Sequence, residues 1–157
     1  MHPKGLSKII LLVIFVLSII KGTLNACPLE LPTASITIDG HRLVVELAAT
    51  PQSRRCGLSH RAALGENQGM LFIYAESDLR TFWMKDTQIP LSIAFLDDSG
   101  KIITIEIMTP NQTEKRYHSG RPARYALEVN QGWFRLHGIR PGDRVEIQPV
   151  VDTKESS

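Results

Sequence analysis

The densest group of chemically capable side chains is the hexapeptide at residues 82–87, which reads Phe-Trp-Met-Lys-Asp-Thr. If this segment is a strand, Asp86 shares one face with two large apolar side chains, while Trp83 and Lys85 share the other. Asp86 is then either a general acid or base, with a pKa altered by desolvation, or a carboxylate that caps the turn before Pro90. Trp83 and Lys85 are expected to form a partly exposed platform that could stack a ring and hold an anion.

A second group of donors lies in the stretch at residues 110–122, which is long for a loop in a compact domain. Its second half is rich in aromatic and cationic side chains, whose donors suit a carboxylate, a sulfate, a phosphate or a sugar hydroxyl. These residues are Arg116, Tyr117, His118 and Arg121, joined by Arg124 just beyond the loop. The alternative is an ordinary solvated surface loop.

Glu128 provides another carboxylate, on the strand predicted after this loop. With Asp86 and His118 it could supply acid and base to a hydrolase-like enzyme. An ion pair between Glu128 and an arginine is the simpler expectation, because Arg124 lies on the same face of that strand. The histidines lack ligand spacing such as His-x-x-x-His, so we predict no metal site, and no motif calls for a cofactor.

The first 26 residues differ from the rest, with Lys4 and Lys8 preceding a run at residues 9–20 that is apolar except for one serine. A charged start, an apolar run and a small residue at the end are typical of a secretory signal peptide. As a helix, the run at residues 9–20 would rise only about 18 Å, against a hydrocarbon core of about 30 Å, which argues against a membrane anchor. We therefore predict an exported protein, periplasmic or extracellular, with residues 1–26 removed.

The predicted export also bears on the state of the two cysteines in the chain. Disulfides persist outside the cytosol, so Cys27 and Cys56 are expected to form a bridge. The predicted mature domain spans residues 27–157, with a core at 33–150 and a frayed tail at 152–157. The alternative is that Leu-Asn-Ala-Cys at 24–27 acts as a lipobox, which would place a lipid on Cys27 and the protein on a membrane. We favour simple cleavage.

The net charge also changes once the leader is removed. The chain carries +2, but the leader holds Lys4, Lys8 and Lys21 and no acid, so the mature domain carries −1. A nearly neutral domain argues against nonspecific binding to nucleic acid or to an anionic membrane. Any positively charged surface must therefore be local.

Apolar side chains alternate along most of the mature chain. This pattern predicts a hairpin over 34–47 and a second over 91–108, with further strands at 70–74, 124–130 and 144–148. Thr50 before Pro51 predicts the start of a short helix that ends at Gly57, and residues 131–137 predict another. We expect one mainly β domain of seven or eight mostly antiparallel strands, curled into a barrel or two layers, with two short helices.

Long motifs of the chain resemble the bacterial and archaeal family catalogued as domain of unknown function 192. They are the runs at 55–61 (Arg-Cys-Gly-Leu-Ser-His-Arg), 69–72 (Gly-Met-Leu-Phe), 82–91, 119–123 and 125–128, with Gly132 to Phe134 and 138–143. The resemblance covers about residues 33–150. It implies a compact, mainly β domain that is often exported, and it implies no established activity or catalytic residues.

The resemblance also suggests a contact between distant segments. Many members of the family have cysteines at the positions of Thr81 and His118 in this chain. Paired cysteines would place the two segments side by side, which would bring Trp83 and Lys85 close to the arginine-rich loop.

These observations favour a non-enzymatic module that binds a small anionic ligand, a sugar or an envelope protein. Its predicted ligand-binding residues are Trp83, Lys85, Tyr117, His118, Arg121 and Arg124. Two alternatives stay open: a hydrolase that uses Asp86, Glu128 and His118, and a passive envelope protein that stabilises a partner through an exposed apolar patch.

Overall fold

The computed structural model describes Cys27 and residues 30–147; the predicted signal peptide and the predicted frayed tail lie outside these residues. Within them the chain forms nine strands and two short helices. In chain order these are β1 Thr33–Ile38, β2 His41–Ala48, α1 Pro51–Cys56, β3 Gln68–Asp78, β4 Thr81–Phe82, β5 Leu91–Leu96, β6 Ile102–Met108, β7 Tyr117–His118, β8 Ala123–Asn130, α2 Trp133–Leu136 and β9 Val145–Ile147.

Seven of the strands form one sheet in the order β6-β5-β8-β3-β2-β1-β9, and β4 pairs with β7 in a separate ribbon. All pairs are antiparallel except β2 with β3. A parallel pair needs a crossover connection, and here that connection contains α1. The sheet curls so far that its two edge strands come together. An isolated antiparallel bridge between Lys101, just before β6, and Arg144, just before β9, shows this. The predicted fold class is therefore confirmed.

Both faces of the sheet are apolar. In β8, Leu127 and Val129 belong to one core cluster, whereas Ala126 belongs to a second cluster on the opposite face. The second cluster includes Met84 and Tyr117, so the segments around β4 and β7 cover that face of the sheet. Glu128 alternates with Leu127 and Val129 and therefore points into this covered face.

The predicted hairpins and both helices are present, at nearly the predicted residues. The strand count exceeds the expected seven or eight because β4 and β7 are only two residues long. The segment after Phe82 does not continue as a strand: Met84 is buried, and Asp86 adopts a positive φ of 56° in an exposed turn. Asp86 and Met84 consequently do not share a strand face.

Helix α1 is short but well capped. The hydroxyl of Thr50 accepts a hydrogen bond from the backbone N–H of Ser53, and the hydroxyl of Ser53 accepts one from the backbone N–H of Thr50. Pro51 supplies the favoured first residue and Gly57 ends the helix at a positive φ of 51°. These local features fix the direction in which α1 presents Arg55 and Cys56.

Candidate functional site

The Trp83 side chain forms a half-exposed platform with two cations. It is 48% exposed. The Nζ atom of Lys85 lies 5.6 Å from the ring centroid, and the guanidinium carbon of Arg116 lies 4.9 Å from it. Both are within the range of cation–π attraction. Arg116 reaches Trp83 from the loop before β7, so the arginine-rich loop and the hexapeptide do meet.

The contact inferred between the segments of Thr81 and His118 is confirmed. The two residues are direct partners in the pairing of β4 with β7, and Nδ1 of His118 lies 3.1 Å from the hydroxyl oxygen of Thr81. Paired residues of this kind are close enough for a cysteine pair to bridge them. The pairing holds the hexapeptide against the loop.

Four of the predicted ligand-binding residues do not line the cleft beside Trp83. Tyr117 is only 1% exposed, and its hydroxyl accepts a hydrogen bond from the backbone N–H of Thr109, so its ring serves the core. The ring of His118 is directed to Thr81, and Arg121 lies in an exposed turn.

Arg124 is the fourth of these residues. Its guanidinium lies 3.6 Å from the carboxylate of Asp98 in the β5–β6 turn. The reason is geometric, because β5 pairs with β8 so that Leu96 lies opposite Tyr125, which places Arg124 beside the turn that contains Asp98. This position also explains why Arg124 does not contact Glu128. The prediction of an ion pair between these two residues is therefore wrong.

A cleft of about 590 Å³, which we call the outer cleft, opens beside Trp83. Its polar lining includes Arg55, Ser59, His60, Lys85 and Asp86. Two permanent cations therefore face one carboxylate, and the local charge is positive although the domain as a whole is nearly neutral. Arg55, Ser59 and His60 were not predicted as site residues.

Backbone contacts shape this cleft. His60 and Asp86 both adopt positive φ values, and the N–H of His60 donates a hydrogen bond to the carbonyl oxygen of Asp86 at 2.8 Å. Cys27 and Cys56 also line the cleft. They form the predicted disulfide, with their Cα atoms 5.6 Å apart, which joins the start of the described chain to α1.

A small pocket of about 40 Å³, which we call the inner cavity although it is open to solvent on one side, lies beside the outer cleft. The two spaces share Arg55, Cys56, Ser59 and Trp83 in their linings. The inner cavity is further lined by aromatic and aliphatic residues, by Arg54 and Thr87, and by Glu128, which is 4% exposed. The cavity exceeds the roughly 10–15 Å³ that a water molecule needs.

Glu128 has no ion pair or hydrogen bond to its side chain anywhere in the described part of the chain. Its strand partners are Met70 and Ile93, which are both buried and apolar. Burial therefore raises the pKa of Glu128 from 4.5 to about 8, because desolvation penalises the carboxylate. At neutral pH the carboxyl is mostly neutral and can donate a hydrogen bond.

The nearest glutamate in the same cross-strand row as Glu128 does have a charged partner. Glu46 is the partner of Met70 in the pairing of β2 with β3. It receives two hydrogen bonds from the guanidinium of Arg61, which raise the pKa of Arg61. Arg54 and Arg55 line the cavity beside Glu128, but neither forms an ion pair with it, and the guanidinium of Arg54 donates hydrogen bonds to the carbonyl oxygens of Ala49 and Ile73.

The three residues of the hydrolase hypothesis are not assembled as a set. Asp86 lines the outer cleft and Glu128 the inner cavity, whereas His118 lines neither. Over Cys27 and residues 30–147, no group of three or more histidine, cysteine, aspartate or glutamate residues could hold a metal ion. Over the same residues, no helix is long and apolar enough to cross a membrane.

Comparisons with known proteins agree with this fold. The model of the family named domain of unknown function 192 (DUF192), described as uncharacterized ACR, matches residues 34–147. A search of curated proteins finds no match.

Two solved structures are similar to this chain. One is a protein from Sinorhizobium meliloti 1021, described as a candidate transcription regulator, with 34% identity, a TM-score of 0.72, and coverage of 76% of this chain and 97% of its own. The other is a protein of unknown function from Novosphingobium aromaticivorans DSM 12444, with 36% identity, a TM-score of 0.69, and coverage of 74% and 86%.

Proposed function

Because the chain belongs to the domain of unknown function 192 family, which is uncharacterised, we propose a function from its site: an exported, non-enzymatic module that binds a small anionic or sugar ligand in the outer cleft. The observation that supports this most strongly is the half-exposed ring of Trp83, with Lys85 and Arg116 close to it, at the edge of a cleft that also presents Arg55. An aromatic face can stack a sugar ring, and cations at its edge favour an acidic one.

The proposed ligand contacts differ from those expected from the sequence alone. Trp83 and Lys85 stay in the proposed site, and Arg55, Ser59 and His60 are added to it because they line the outer cleft. Tyr117, His118, Arg121 and Arg124 are left out because they do not line it. Arg55 is the strongest addition, because it lines both the outer cleft and the inner cavity. A guanidinium can bind a carboxylate with two parallel hydrogen bonds.

The double variant Arg55→Gln/Lys85→Gln is expected to bind anionic probes at least about tenfold more weakly than the wild-type protein, since hydrogen bonds to charged groups contribute about 1.5–3 kcal/mol each. The probes are inorganic phosphate, acetate, D-glucuronate and uncharged D-glucose, and binding is followed by the NMR signal of the Trp83 indole N–H. The matched control is Arg121→Gln/Arg124→Gln, which removes the same charge outside the cleft.

The control should bind like the wild-type protein. Equal losses in both double variants would contradict the cleft as the site, because the effect would then follow net charge alone. Failure of all four probes to shift the Trp83 signal in the wild-type protein would contradict the proposed function itself.

Export is part of the proposal. The leader pattern supports it, and so does the disulfide between Cys27 and Cys56, since such bonds persist in oxidising compartments. The same sulfur atom cannot carry a lipid thioether and a disulfide, which favours simple cleavage over lipidation. We expect the mass of the protein recovered from bacterial cells to correspond to a chain that begins at Cys27; retention of residues 1–26, or an added lipid mass, would contradict this.

Nucleic acid is not among the proposed partners. One similar structure is described as a candidate transcription regulator. However, the mature domain of this chain carries a net charge of −1, and two of the cations near Trp83, Arg55 and Lys85, line a cleft. Proteins that neutralise DNA phosphates present extended positive surfaces.

A further inference from the structure

Glu128 combines two properties that proteins rarely leave together without a purpose. Its side chain is only 4% exposed, and no ion pair or hydrogen bond joins it to another group in the described part of the chain. A buried polar group without a partner is costly, so each such group in a native protein calls for an explanation. The carboxyl group lines a cavity that adjoins the outer cleft, which suggests that the missing partner enters from there.

The sizes of the two spaces restrict what that partner can be. About 40 Å³ accommodates a few non-hydrogen atoms, such as a hydroxyl or carbonyl group, but no sugar ring. The outer cleft is about fifteen times larger in volume, at about 590 Å³, and can hold the body of a small molecule against Trp83. A ligand that uses both spaces therefore projects one small polar group towards Glu128.

The charges restrict the partner further. Arg55 lines both spaces, and Lys85 lines the outer cleft, so an anionic group of the ligand is stabilised on that side. A carboxylate at position 128 would repel such an anion, whereas a neutral carboxyl would not. Burial holds the neutral form at physiological pH, with a pKa of about 8. A cationic ligand fits less well, because Arg54 and Arg55 both line the inner cavity.

We propose that the inner cavity is the deep end of the ligand site, and that the protonated carboxyl of Glu128 donates a hydrogen bond to a hydroxyl or carbonyl oxygen of a hydroxylated carboxylic acid. The carboxylate of that ligand lies at Arg55 and Lys85, and its body lies on Trp83. The inference rests on the proposed function and deepens it, since it names the ligand class and links binding to a proton.

Other ionisable groups near Glu128 could also contribute to a pH dependence. Arg54 and Arg55 face it from α1, and Tyr74 of β3 is close enough to sense its charge. Glu46 lies two strands away on the same row and is bound to Arg61. In the outer cleft the titratable groups are His60, Lys85 and Asp86. All of these are unchanged in a Glu128→Gln variant, so a comparison of the two proteins isolates Glu128.

The experiment measures the affinity of the purified protein for D-glucuronate between pH 7 and pH 9. The protonated fraction of Glu128 falls from about 0.9 to about 0.1 over this range if its pKa is about 8, so the wild-type affinity should fall about tenfold. Glu128→Gln keeps a neutral donor and acceptor and should vary by less than about twofold. Glu146→Gln, which removes an exposed carboxylate of β9, should keep the wild-type profile.

A wild-type affinity that does not depend on pH, or a tenfold decrease that persists in Glu128→Gln, would overturn the inference while leaving anion binding in the outer cleft intact. Binding of phosphate or acetate without binding of D-glucuronate would do the same. If none of the probes binds at any pH, the proposed function fails and the inference fails with it.

A second measurement does not depend on the folding of the variant. In wild-type protein labelled with ¹³C at the glutamate carboxyl groups, the Glu128 signal should titrate with a midpoint far above the ordinary pKa of a glutamate. D-glucuronate should raise this midpoint further, since the ligand stabilises the protonated form. A Glu128 that is already ionised at pH 6, or a midpoint that D-glucuronate lowers or leaves unchanged, would overturn the inference.

Discussion

Relative to the wild-type protein, Glu128→Gln is expected to gain free energy of unfolding as the pH rises from 5 to 9, by on the order of 4 kcal/mol. The folded-state pKa of Glu128 is raised from 4.5 to about 8 by burial. The stability associated with its proton is therefore fully present below pH 4.5 and is lost as the pH rises through about 8. Glutamine is neutral throughout and removes this loss at a similar side-chain volume.

Urea unfolding curves at several pH values measure the effect, because both proteins share every other titrating group. At pH 5 the two should have similar stability, and at pH 9 the variant should be the more stable. Glu146→Gln removes an exposed carboxylate and should track the wild-type protein at all pH values. If the difference between wild type and Glu128→Gln did not change with pH, Glu128 would have to be ionised in the folded protein, and it would need a partner in the cavity.

Local signals in the sequence were sufficient for much of the fold. Strict alternation identifies the hairpin of β1 and β2, because one face of each strand is buried. The pair Thr50 and Pro51, with Gly57 six residues after Pro51, identifies α1, because the caps of a short helix are formed by neighbouring residues. These features depend on contacts within a few residues, which a sequence displays directly.

The candidate site was harder to predict, because distant segments build it. Tyr117 looks like a loop residue, but the pairing of β7 with β4 turns it into the core. Whether Arg124 meets Glu128 or Asp98 depends on the curvature of the sheet, which no local pattern specifies. The Thr81–His118 contact was predicted for a different reason, from the cysteines that the family resemblance implies at these two positions.

Glu128 shows the same limit most clearly. Its strand and its face follow from the alternation in β8, which places it beside Ala126. The groups that cover it, including Gly57, Phe82 and Trp83, come from segments that lie far away in the chain. Only the folded arrangement reveals that neither of the two arginines lining the same cavity forms an ion pair with it. A glutamate in an apolar strand can be recognised in a sequence, but the lack of an ion-pair or hydrogen-bond partner for its side chain cannot.

Removal of the disulfide by Cys27→Ser/Cys56→Ser is expected to lower the free energy of unfolding by about 3 kcal/mol, or the melting temperature by on the order of 10 °C. The bridge spans 29 residues of sequence, so its loss restores freedom to a long segment of the unfolded chain. Thermal unfolding with and without a reducing agent measures this. The reducing agent should destabilise the wild-type protein and leave the double variant unchanged.

The same variant should also weaken binding of D-glucuronate, because Cys27 and Cys56 line the outer cleft and Cys56 follows Arg55 directly in α1. A reduced bridge frees Cys27 from α1 and so removes one part of the cleft wall. Two free thiols in the non-reduced wild-type protein, or equal melting temperatures for the two proteins, would contradict the bridge. If the bridge is present, the cleft is complete only in an oxidising compartment, which ties the proposed binding function to export.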